Sequence, residues 1–560
     1  MILTRHARKR AMVIVAAGIL LPLTVTATNS GAADTTSTLI PTNLVAPAIP
    51  NVPALPGPVT PTFTLSPTMG NLTVSPNQGV EGAPLTISGS GLPASTSVAI
   101  TWSTSSVTWV LSPQPDTVNY LGRTSTNFFV TLATVTTNAS GSFSYATTAP
   151  VDFGGTHDIY AVVNNVAVDH AGYELLRTLT VSPRSGPIGT PIHITYTGMG
   201  ATLYTGGAAV LYDNHFTGEM TAFWTRGTAS VTIRAAGAVG PHLIQVADAL
   251  SSMYMNIIQS PVPYANGGVA TFTVTRGKAS LAPSISWPTS VAPTLKMVTT
   301  LSNAGLDPKS DAVATASPTD GPVGTKVNLT VTGLTGSGPY QLAWASVQGS
   351  RVNCASASCW AYISVPLGTA SASGGTLNTS VTVPDGLGGW HVMQVLNGST
   401  VESQTPFYVK ESMVPFYSAS GKLLSEAIAT ANDAATPAAL AVGQSGTGTY
   451  TFKQGQEITI SLKGVGWTQL DNTLGVDYDN AYIGYGCGFN SNGYTVIHLR
   501  ATGGPGIHLI DLYPQLYTQQ PSFANTPYGM APVLTYARDF PGLALGYQVP
   551  SMHFAIKIVK

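Results

Sequence analysis

Charge is what this chain lacks most. Only 8% of its 560 residues are Asp, Glu, Lys or Arg, against about 25% in a typical soluble domain. The 23 basic and 24 acidic residues leave a net charge of −1. Nucleic acid and anionic membranes are bound through clustered Lys and Arg that displace counterions, so neither is an expected partner. Cysteine is scarce too, with three in the chain. Cys354 and Cys359 enclose only Ala-Ser-Ala-Ser, close enough for a local disulfide in an oxidising compartment. A metal site needs more ligands than that segment offers. Cys487 is left over. Helical periodicity is almost missing, and so are G-x-S-x-G, H-E-x-x-H, P-loop and EF-hand patterns. Acidic residues are too sparse to suggest the paired carboxylates of a glycosidase. No cofactor is expected.

What is present begins with a leader. Arg5, Arg8, Lys9 and Arg10 precede the apolar run 11–27, and small residues follow with cleavage positions after Ala27 or Ala33. This is the layout of a secretory signal peptide over residues 1–33; an uncleaved membrane anchor is the rival reading. Export places the protein at the cell surface or outside the cell, with no membrane insertion beyond the signal segment. Residues 34–69 carry eight prolines and predict an extended, semi-rigid tether.

The remainder repeats itself. "SPNQGVEGAPLTISGSGL" (75–92), "SPRSGPIGTPIHITYTGMG" (182–200) and "SPTDGPVGTKVNLTVTGLTG" (317–336) share Ser-Pro, two glycines three residues apart and an alternating strand. That is a Pro/Gly turn feeding a half-buried antiparallel strand. A fourth unit lacks Ser-Pro. Shifting residues 189–244 by 266 nevertheless superposes them on 455–510 without a gap, with 20 of 56 positions identical. Units one and three pair at an offset of 242, carrying Trp102 onto Trp344. A duplicated two-domain unit, A-B-A′-B′, follows. Each unit runs for roughly 100 residues of short β-branched strands and turns, the profile of a β-sandwich.

The expected fold is therefore all-β: about four immunoglobulin-like sandwiches in tandem, over residues 70–179, 180–277, 312–410 and 447–560. Residues 278–311 read as a Pro-rich linker. Residues 411–446 read as a second, with Leu423, Leu424, Ala427 and Ile428 on one side of a short helix. The Ser-Pro-x-x-Gly-x-x-Gly turn and its strand resemble the IPT/TIG type of immunoglobulin-like domain found in bacterial surface and secreted repeat proteins. The resemblance covers the first strands of each unit. It implies a spacer, adhesion or assembly module with no shared catalytic residues.

One residue type tempts a chemical reading. His157, His242, His391 and His508 occupy one slot in the four units, in "GTHDIYA", "GPHLIQV", "GWHVMQV" and "GIHLIDL". Period-2 alternation turns each toward the sandwich interior. Four copies about 100 residues apart cannot converge on one ion or substrate, so the expected role is structural: the imidazole donates to a carbonyl of the preceding loop, in the manner of the tyrosine corner. Tyr212-Asp213-Asn214 and Tyr478-Asp479-Asn480 offer too few oxygens for calcium and read as self-capping turns. Trp102 and Trp344 are expected in cores, whereas exposed aromatics such as Trp224 and Trp360 suit sugars or an interface.

The resulting expectation is an exported, non-enzymatic structural or adhesive protein that self-associates into a layer or filament, or contacts other surface proteins or glycans. Low charge removes the repulsion that keeps chains apart. Carbohydrate or polymer binding through Tyr-rich loops is the alternative. A secreted hydrolase with its site in 103–137 or 515–545 is the third.

Overall fold

The computed structural model describes residues 53–59, 62–114, 117–202, 205–249, 268–277, 281–288, 310–349, 360–413, 450–489, 491–516 and 531–560, with short pieces at 42–43, 255–256, 258, 416–417, 423–425, 428–429, 518–519 and 527–528. The expected signal peptide and the Cys354–Cys359 pair lie outside them. No helix among the described residues is long and apolar enough to cross a membrane.

The chain is all-β, built as tandem immunoglobulin-like sandwiches. Sandwich 2 shows the plan. Thr178–Ser182, Pro191–Thr197 and Ala229–Arg234 form a three-stranded sheet, and Ser185–Gly186, Val269–Val274, Gly240–Asp248, Gly207–Tyr212 and His215–Thr221 form a five-stranded one, in those orders. The first strand crosses between sheets at Ser182-Pro183, a cis bond as at Ser75-Pro76 and Ser317-Pro318. Sandwiches 1 and 3 repeat the order around their own Ser-Pro.

The second motif glycine has a specific task. Gly82, Gly189, Gly324 and Gly455 all have φ between 77° and 89°, a region costly for residues with a Cβ. In each unit its N–H then donates to an equivalent carbonyl, of Ala149, Ala235, Val383 or Ala501, at 2.8–3.0 Å. The motif is thus a backbone requirement, and it survives in the fourth unit where Ser-Pro does not.

Sandwich 4 is completed by strands the sequence had placed in linkers. Ser284–Ser286, from the 278–311 segment, pairs antiparallel with the last strand, Ser551–Val559. Ser412–Met413 pairs with Glu457–Lys463, and Ile428–Ala429 continues along the same strand. Within the segment expected as a helix, Ile428–Ala429 is therefore extended, and Leu423–Ser425 pairs with Phe416–Tyr417. The open edge of Glu457–Lys463 offers ladder partners, and that pairing outweighs a weak helical pattern. At the other end, Thr64–Asn71 pairs parallel with Val166–Leu175, so the last residues of the proline-rich stretch belong to sandwich 1.

Residues 39–560 form one compact unit. The first sandwich extends a hairpin, Ser97–Gln114 with Thr117–Thr136, as an arm to the fourth. Its Val107, Trp109 and Leu111 are buried in a core shared with Phe223 and Trp224 of sandwich 2, Trp390 and Tyr408 of sandwich 3, and Trp467, Leu474 and Phe554 of sandwich 4. Trp109 Nε1 donates to Asp539 Oδ1 at 3.2 Å, and its ring meets Phe223 edge-on at 5.0 Å. An aromatic of this size buries about 150–250 Å², which makes it an anchor for the arm.

The two junctions within the A-B and A′-B′ pairs are copies. Gly154 N–H donates to the Met199 carbonyl at 2.8 Å, and Gly388 N–H to that of Val465 at 3.0 Å. A Cβ on either glycine would stand 1.7 Å from the carbonyl oxygen of Gly198 or Gly464. The offset between Met199 and Val465 is again 266, in line with a duplicated pair.

Candidate functional site

The four repeated histidines start their strands in one geometry. Nε2 lies on the carbonyl oxygen four residues earlier in every case: Phe153 at 2.6 Å, Ala238 at 2.7 Å, Leu387 and Gly504 at 2.9 Å. The Nδ1 partner divides them. His157 and His391 bond the carbonyls of Ser103 and Ala345, at 2.7 and 3.0 Å. His242 and His508 bond carboxylate Oδ2 of Asp213 and Asp479, at 2.5 and 2.6 Å. His157 and His391 stack on the buried Trp102 and Trp344, 4.2 and 4.8 Å between centroids.

The Tyr-Asp-Asn triplets form two-residue hairpin turns. Asp213, Asn214, Asp479 and Asn480 have φ of 50–65°, the pair of left-handed residues that a tight hairpin demands. Each aspartate spends both oxygens locally, Oδ2 on the histidine and Oδ1 on the N–H of Leu243 or Leu509 at 2.8 Å. Among the described residues no group of three His, Cys, Asp or Glu could hold a metal ion. Trp224 is buried beside Trp109, Cys487 is exposed, and the side chain of Trp360 lies outside the described residues.

The cluster with the most chemistry lies where sandwiches 2 and 4 meet, and the sequence did not single it out. Arg234 ends a strand of sandwich 2, and its Nε donates to Asp511 Oδ1 of sandwich 4 at 2.8 Å. A second nitrogen donates to the carbonyls of Ile510 and Phe554. The same Asp511 oxygen takes Nδ1–H of His553 at 2.6 Å, and His553 Nε2 stands 3.0 Å from Ser551 Oγ. Tyr536 hydroxyl lies 2.7 Å from that Oγ. Ser551 and His553 are two apart on one strand and therefore share a face; His553 is directly opposite Asp511 in the register.

The electrostatics are uneven. Burial pushes the Asp511 carboxyl up, but Arg234 and His553 outweigh it and hold it below the ordinary carboxylate value. Its cross-strand neighbour Asp477 is fully buried, and burial together with the charge of Asp511 holds it well above that value. The two neighbouring carboxyls are thus pushed in opposite directions. The cleft above this chain, about 640 Å³, is lined by Pro191, His193 and Thr232 of sandwich 2 and by Tyr536, Ser551 and His553. A second groove of about 660 Å³ runs between sandwiches 1 and 2, past Ser105, Asn127, Phe129 and Asp158.

No family model matches the chain, and no curated protein does. Among solved structures it is similar to an α2-macroglobulin of Salmonella, with 9% identity over 88% of this chain and 31% of that one at a TM-score of 0.16. It is also similar to the D1–D4 ectodomain fragment of ICAM-5, with 9% identity, 87% and 99% coverage and a TM-score of 0.17. A protein of Corynebacterium diphtheriae described as membrane-anchored gives 13% identity, 62% and 88% coverage and 0.14. Scores this low carry no argument; the immunoglobulin-like class rests on the strand orders above.

Proposed function

We propose that the protein is an exported structural or adhesive component of the cell surface or extracellular space, built of IPT/TIG-type sandwiches and self-associating into a layer or filament. The observation that carries the reading is the arm of sandwich 1, whose Trp109 is buried in the core shared with sandwich 4. A chain pinned first to last keeps a fixed shape, and a repeating assembly needs subunits of fixed shape so that each interface presents the same geometry. The low charge of the surface removes electrostatic repulsion between copies, and edge strands supply unpaired ladder groups as contacts.

Electron microscopy of the purified protein and of the producing cells tests this. Ordered sheets or filaments, with surface labelling by an antibody, are expected. Discrete monomers together with an unlabelled surface would overturn it. A second reading, glycan binding, draws on the groove between sandwiches 1 and 2, whose lining combines hydroxyl, amide and carboxylate groups with Phe129. A polysaccharide pull-down with no retention removes that reading.

A further inference from the structure

We infer that Ser551, His553 and Asp511 form a serine-nucleophile relay that cleaves small carboxylic esters in the cleft between sandwiches 2 and 4. This departs from the non-enzymatic expectation, which rested on missing linear motifs. A nucleophilic serine needs a base on its hydroxyl and a third group that orients the base. Both contacts are present: Oγ to His553 Nε2 at 3.0 Å and His553 Nδ1 to Asp511 Oδ1 at 2.6 Å. The order of the three along the chain differs between unrelated relays, so geometry and role identify one.

The surroundings fit the roles. Asp511 is 1% exposed at its side chain, and Arg234 holds it as a carboxylate that accepts from Nδ1–H, which leaves Nε2 free to take the serine proton. Arg234 and Asp511 are positioning residues, while Ser551 and His553 meet the substrate. Both line the cleft; the His553 side chain is 14% exposed and Ser551 only 1%, so a substrate reaches Oγ when the wall around Ser551 shifts. The Tyr536 hydroxyl, 2.7 Å from Oγ, is placed to donate to the oxyanion that forms beside it. The walls carry threonine, serine and histidine with Arg538 among them, while Arg234 and Asp511 neutralise each other, so they favour a hydroxyl-bearing or anionic ester over a cationic one. A cleft of about 640 Å³ suits a short acyl group.

In the reaction, Ser551 Oγ bonds to the carbonyl carbon as its proton passes to His553 Nε2. The carbon–oxygen bond to the leaving alkoxide breaks, and His553 returns the proton to that oxygen. Water then adds to the acyl-serine, again losing a proton to His553, and the acid departs as Oγ regains its hydrogen. No oxidant or metal enters the balance.

The full-length protein treated with a fluorophosphonate probe, followed by peptide mass mapping, tests the inference. A single adduct on Ser551 is expected, absent from heat-denatured protein and from Ser551→Ala, and at least about tenfold reduced in His553→Gln. Hydrolysis of p-nitrophenyl acetate should fall in the same order. Thermal midpoints of the variants within a few degrees of the parent show that the fold persists, and His553→Gln retains the serine, so a lost adduct there reads the relay itself. A folded parent that takes up no label at Ser551, or a Ser551→Ala protein that hydrolyses the ester equally well, would overturn it. Assembly by electron microscopy is unaffected in Ser551→Ala, which separates this failure from failure of the structural reading.

Discussion

In sandwiches 1 and 3 the corner histidine lies against a tryptophan and bonds only backbone carbonyls; in sandwiches 2 and 4 it lies against a tyrosine and bonds the aspartate of the adjoining turn. The bond shared by all four runs from Nε2 to the loop carbonyl four residues back. That bond defines the slot, and the Nδ1 partner follows from the surroundings. Phe153 and Leu387, which accept in the odd sandwiches, adjoin the glycine junctions with the next sandwich, and His157 and His391 are 5% and 3% exposed. A carboxylate there is desolvated and needs a buried partner: Asp152, fully buried 3.9 Å from His157 Nδ1, has Arg226, whereas His391 is bonded by carbonyls alone. In the even sandwiches Asp213 and Asp479 keep 39% and 25% of their side chains in solvent, and a charge is tolerated.

The largest break in this comparison is expected from His391→Phe. Burial holds His391 below the ordinary imidazole value, so at neutral pH the ring is neutral and its one N–H donates to a single buried carbonyl, that of Ala345 or of Leu387. Phenylalanine leaves that oxygen without its donor. The cost is about 2–3 kcal/mol, the desolvation penalty of an orphaned buried acceptor, read by urea unfolding and by lost amide protection in Gly389–Asn397. His242→Phe is the matched change in an even sandwich, and about 1 kcal/mol is expected. Asp213 keeps the Leu243 N–H and turns its other oxygen to water. Protection in sandwiches 1, 3 and 4 should stay as it was. Equal costs for the two substitutions would mean that the Nδ1 partner does not matter.

The contrast between Arg234 and Arg500 shows where sequence stops being informative. They match at the 266-residue offset, yet Arg234 is buried in sandwich 4 against Asp511 while Arg500 is exposed beside Glu457. Period and turn chemistry are local, so the strands, the motif glycines and the histidine slot could all be read from residues within a few positions of one another. Which copy of a duplicated arginine faces a neighbour depends on how sandwiches dock, and docking leaves no local pattern. The same holds for Ser412–Met413 and Ser284–Ser286, whose partners lie about 50 and about 270 residues away along the chain. It holds also for the Ser551–His553–Asp511 chain. Two of its members are visible as Ser-x-His, but the third arrives only through the pairing of two strands whose connecting segment spans residues 515–550.

The smallest effect concerns protons, and it carries opposite signs at His508 and His391. Hydrogen bonding to Asp479 raises the His508 value, with burial opposing. A ring raised on folding stabilises the fold fully below its unfolded value, about 6.5, and that contribution disappears as pH rises through the folded value. His391 is lowered instead. Its contribution is present above about 6.5 and is lost as pH falls through the folded value. Asp479→Asn removes the acceptor that raises His508 and leaves His391 alone. The thermal midpoint of the parent should therefore exceed that of the variant most on the acid side of about pH 6.5, with the gap narrowing as pH climbs through the raised value. A gap that instead stayed flat with pH would mean that the Asp479–His508 bond forms equally well with a neutral ring, and sandwich 4 would then differ from sandwich 3 in geometry but not in charge.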